Sequence, residues 1–125
     1  LIKEMGTLPI EDRILFIQRY YNQVAQDHEI LFRRYLSTVL AESTSSKKKL
    51  RGSRRKDAMI KVTNPFSKQL TKKERKNLVN IASVLMGIDS FITAKDVCGL
   101  DSEEAKSMLE WGLKMIMKGM IKDIK

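Results

Sequence analysis

Apolar residues recur at Ile10, Ile14, Ile17, Tyr21 and Val24, a 4-3-4-3 spacing that lays one stripe along a helix. Pro9 reads as a first helical position, with Glu11 and Asp12 in the first turn, where a fixed φ and the helix dipole favour them. Asp27 is placed to cap a second helix, or a continuation, running to about Ala41. Along it Leu31, Tyr35 and Val39 make one row and Phe32, Leu36 and Leu40 the next, a width that predicts more than one neighbour.

The pattern then stops. Glu42 to Ser46 is polar and serine-rich, and residues 47–56 hold seven bases in ten positions. Like charges repel, and no apolar period offsets the entropy of ordering them, so a mobile loop is expected. Ala58 to Val62 reads as a short turn or strand, and Asn64-Pro65 breaks the backbone. Periodicity resumes after Thr71-Lys72-Lys73-Glu74, a capping-box pattern, with Leu78, Ile81, Leu85 and Ile88 forming a stripe that ends near Gly87 or Asp89. Thr93-Ala94-Lys95-Asp96 begins a short helix closed by Gly99. Asp101-Ser102-Glu103-Glu104 caps a last one whose face is Ala105, Leu109, Leu113 and Ile116. Four or five helices and no convincing strand pair define an all-α class.

Composition adds a size and a setting. The 125 residues, 42% hydrophobic and 31% charged, fit one globular domain. The single cysteine, Cys98, has no internal partner, and a buried structural thiol is expected there. No apolar run approaches the roughly 20 residues that span a bilayer, and Leu1 to Gly6 lack a signal-peptide pattern, so no membrane role and a nuclear or cytoplasmic location are expected. A chain opening on Leu1 is expected to be a piece of something longer.

Charge changes the picture most. The net charge is +9, yet residues 44–78 hold 13 bases against Asp57 and Glu74, while the rest is slightly acidic. Basicity confined to one block points to a polyanion site better than a basic pI does. The candidate contacts are Lys47, Lys48, Lys49, Arg51, Arg54, Arg55, Lys56, Lys61, Lys68, Lys72, Lys73, Arg75 and Lys76. Lysines and arginines on phosphates release counterions, and the helix start near Lys72 offers free amides to anions. An import signal or a plain solvated loop looks the same in sequence. Phe66 is the one aromatic in the block, so backbone contact fits better than base stacking.

Catalytic signals are missing. His28 has no metal-ligand companion at useful spacing, and no glycine-rich phosphate loop, serine elbow or carboxylate pair appears. No enzyme, cofactor or metal is expected. The methionines between Met86 and Met120 suit either core filling or an adaptable partner groove, and Met108 and Met115 beside Trp111 read as core.

The order Ile92-Thr93-Ala94-Lys95-Asp96-Val97-Cys98, a Gly99-Leu100 turn, then Asp101 to Leu109 and an exit at Met117-Lys118-Gly119-Met120-Ile121 resembles the helix-turn-helix core of winged-helix domains. The resemblance spans about residues 71–121. It departs from the family's pattern in a short second helix, an end before any wing, and acidic residues Asp101, Glu103 and Glu104 where a recognition helix would meet phosphates. Together with the patterning above, one bundle over residues 1–125 is expected: a helical arm at 7–42, a basic flexible loop at 43–68 and helix-turn-helix-like helices at 69–125. The leading expectation is a non-catalytic domain that binds DNA or RNA by its backbone. The alternative is a docking or dimerisation module, using the Phe32–Leu36–Leu40 face and the methionine-rich last helix, whose basic loop is a nuclear-import signal or a site for an acidic partner.

Overall fold

The computed structural model describes residues 8–45 and 51–124, and every regular element among them is helical. Helix α1 (Ile10–Asp27) turns Ile14, Leu15 and Ile17 inward, as its stripe requires. Pro9 precedes the helix by one residue, and its carbonyl accepts the Arg13 N–H at 3.1 Å. The expected break falls at His28, after which α2 (Glu29–Ser43) begins. Its wide apolar face is only partly used. Leu36 and Val39 are buried, whereas Leu31, Tyr35 and Leu40 are exposed.

The basic segment departs from expectation. Instead of a loop, turn or strand, Arg54–Thr63 is a helix, α3, which raises the number of described helices to six. Met59 and Val62 are buried on it and Arg55 shares their side, an i, i+4, i+7 stripe that crowded lysines and arginines had masked. Burial of those apolar groups outweighs repulsion among cations that solvent screens. A single 3₁₀ turn at Asn64–Phe66 carries the proline break.

Helix α4 (Lys72–Val84) opens with the expected capping box. The Glu74 N–H donates to Thr71 Oγ1 at 3.1 Å, and the Thr71 N–H donates to Glu74 Oε1 at 2.8 Å. Helix α5 (Ile88–Asp96) starts earlier than the Thr93 expected from sequence, because the chain bends by 56° between α4 and α5, at the positive-φ Gly87. A second capping box, Asp101 with Glu104, starts α6 (Ser102–Ile124).

Helix α1 lies at the centre, packed by α2, α3, α5 and α6. One buried cluster joins Ile14, Ile17, Met59, Val62, Leu78 and Leu113; a smaller one joins Ala25, Phe91, Ala94 and Ala105. Two polar residues interrupt this apolar surface. Gln18, fully buried, donates through Nε2 to the carbonyls of Leu85 and Leu109, each at 3.0 Å. One turn on, Asn22 Oδ1 accepts the Gly87 N–H at 2.8 Å. Both tie α1 to the α4–α5 junction. Cys98, expected to be buried, is exposed beyond the end of α5.

Gly87 is fixed by conformation and by space. Its φ is +86°, and a Cβ there would stand 2.8 Å from Arg55 Nη1. Arg55 cannot simply swing away, since it donates to the Met86 carbonyl and to Asp89. Gly87→Ala is therefore expected to cost about 1–3 kcal/mol of stability. Urea unfolding monitored by circular dichroism would read this as a lowered midpoint.

Candidate functional site

The sequence-derived basic residues separate into three groups. Lys47, Lys48 and Lys49 lie outside the described residues. Arg51, Arg55 and Arg75 work inside the fold. Asp89, in the first turn of α5, accepts Arg51 Nη2 at 2.6 Å and Arg55 Nη2 at 3.0 Å. Burial pushes the Asp89 carboxyl up, but the two guanidiniums outweigh it and hold the group below the usual carboxylate range. Arg75 reaches from α4 to Thr63 Oγ1, the Ile60 carbonyl and Asn64 Oδ1, pinning the end of α3. Arg51, Arg55 and Arg75 thus spend donors on partners within the fold.

Arg54, Lys56, Lys61, Lys68, Lys72, Lys73 and Lys76 form the third group. All seven are exposed, and none has a carboxylate partner among the described residues. They lie on α3, on α4 and on the turn between two helices that pack together. Phe66 sits under the Arg13 guanidinium, 5.3 Å from ring centroid to Cζ. Elsewhere several cations are paired. Glu29 accepts from Lys95 at 2.7 Å and from Arg33 at 2.9 Å, and Arg33 grips Asp96 with both terminal nitrogens, locking α2 to α5. Lys95 above all, then Arg33, holds the Glu29 carboxyl below its ordinary value.

A second surface was read differently in sequence. Met108, Trp111 and Met115, taken for core, point outward from α6, and Trp111 is 62% exposed. On α4 the corresponding outward residues are Ile81 and Val84, the latter 60% exposed. Between the helices runs an open groove of about 650 Å³, lined by Asn77, Leu78, Ile81, Val84, Ile116 and Gly119 among others. Glu74, at its rim, is the one ionisable residue among those lining it. The methionine-to-tryptophan spacing was visible in sequence; its outward direction was not. Residues 105, 109 and 113 fill the inward side of α6, leaving 108, 111 and 115 to solvent.

No single helix among the described residues is long and apolar enough to cross a membrane. Searches against protein-family models, curated proteins and solved structures found no match for this chain.

Proposed function

We propose that this chain is a non-catalytic assembly domain that pairs with a second copy of itself across the α4–α6 face. One observation carries the reading: Val84 stands well exposed in an apolar, nearly uncharged groove between α4 and α6, and α6 leaves Trp111 exposed as well. Large exposed apolar patches mark interaction sites, and tryptophan and methionine are enriched at the centres of interfaces. Charge selects the partner. Two copies at +9 each repel, and an uncharged face is where they approach at least cost.

Two glycines of α6 support close approach. A Cβ added at Gly112 or Gly119 would meet nothing within 4 Å among the described residues, so the protomer itself does not need them. Glycine inside a helix costs roughly 0.5–1 kcal/mol relative to alanine. A neighbouring backbone or ring lying against α6 accounts for that cost. The winged-helix-like succession of α5, the Gly99 turn and α6 serves here to present a docking face, in keeping with the acidic start of α6. Sedimentation across a concentration series tests the reading; a monomer at every concentration removes it.

The seven unpartnered cations favour a second reading, contact with the phosphate backbone of DNA or RNA. A paired domain would present two such surfaces. Arg54→Ala, Lys56→Ala and Lys61→Ala together are expected to weaken binding to unrelated duplexes alike and to reduce the salt slope by about 2–3. Fluorescence anisotropy in a salt series reads both, and unchanged low-salt affinity overturns the nucleic-acid reading.

A further inference from the structure

On another side of the molecule α1, α2, the start of α3 and the Gly87–Ile88 start of α5 line an open cavity of about 600 Å³, within the range of small-molecule sites. Aromatic rings dominate its walls: Tyr20 and Tyr21 from α1, Phe32 and Tyr35 from α2. The Tyr20 and Tyr21 rings meet edge to face with centroids 5.2 Å apart, leaving ring surface for a planar guest. The opposite wall carries Arg51, Arg54 and Arg55.

These three guanidiniums are not equivalent. Arg51 and Arg55 share the single carboxylate of Asp89, so the pair retains one unit of positive charge. Arg54 has no ion-pair partner among the described residues, and its planar fork is free. The first-turn amides of α3 add to the positive field, since Ser53 turns its hydroxyl to Asp57 instead of capping them. Burial, the largest cause, pushes the Tyr21 hydroxyl up, so that phenol stays neutral and able to donate. Stacking rings on one wall and a spare guanidinium on the other define a guest with a flat body and an anionic end.

We propose that this cavity binds a planar aromatic carboxylate, with its ring against Tyr20, Phe32 and Tyr35 and its carboxylate on Arg54. The site is independent of the α4–α6 face.

Calorimetric titration of the whole chain with 2-naphthoate tests this. One saturable site per chain is expected, with a Kd on the order of 10–100 µM. Arg54→Ala is expected to raise Kd roughly tenfold or more, as loss of a bidentate ion pair does. Arg54 and Tyr35 are exposed, so Arg54→Ala and Tyr35→Ala should keep the wild-type melting temperature. Tyr35→Ala is expected to weaken binding by a similar factor, as are replacement of the probe by neutral 2-naphthylmethanol or by non-aromatic cyclohexanecarboxylate. Absence of saturable binding at millimolar probe overturns the proposal. Equal affinity for naphthoate and the alcohol, or an unaffected Arg54→Ala, overturns it as well.

Discussion

Introducing glutamate at both Trp111 and Val84 is expected to convert a self-associated chain into a monomer, raising the dissociation constant at least roughly 100-fold. In the proposed pair an indole and a branched side chain, both exposed in the protomer, would be buried. The double change removes that burial and sets carboxylates against their two-fold copies in a region from which water has been expelled. Tryptophan at the centre of an interface commonly carries 2 kcal/mol or more, and opposed like charges add to the loss. Because both residues are exposed in the protomer, the fold should be spared, and circular dichroism should report unchanged helicity. Light scattering after size exclusion distinguishes the outcomes. A wild-type chain that stays monomeric at about 0.5 mM, or a variant that dimerises as before, would sink the assembly reading.

The second large effect is on stability. Gln18→Ala is expected to destabilise the chain by about 2–4 kcal/mol. Gln18 Nε2 satisfies two carbonyls at once, on Leu85 at the end of α4 and on Leu109 in α6. Truncation strips both of that donor and leaves a cavity where α1, α4 and α6 converge. A drop of this size lowers the melting temperature by on the order of 10 °C for a domain of this length. Leucine in place of Gln18 fills the volume without restoring the donor, so Gln18→Leu should recover only part of the loss. Full recovery would mean that packing, not hydrogen bonding, explains the residue.

Much of the architecture was readable from local pattern. The α1 stripe, the break near Asp27 and the capping boxes at Thr71 and Asp101 follow from periodicity and from backbone amides that need an acceptor. The failures share one cause. In Arg54–Thr63 five charged residues hid the buried pair Met59 and Val62, and in Ile88–Asp96 a glycine in the left-handed region moved the boundary. Each depends on a partner distant in sequence: Asp89 for Arg55, Asn22 for Gly87.

The site calls for the same distinction. Charge counting found the cations but could not tell Arg54 from Arg55, neighbours in sequence with opposite roles in space. One helical step, about 100°, lets Arg55 reach Asp89 and leaves Arg54 without an ion pair among the described residues, though both line the aromatic cavity. Likewise α6 carries apolar residues around more of its circumference than the core can cover.

Sequence alone determined the helical class, the main starts and stops, and the concentration of positive charge in the middle third. These depend on interactions within a few residues, which spacing along the chain records directly. Tertiary structure decided which arginines are free, which apolar residues remain uncovered, and where a groove and a cavity open. Those are properties of surfaces brought together from distant segments, and no local period encodes which side of a helix finds a neighbour.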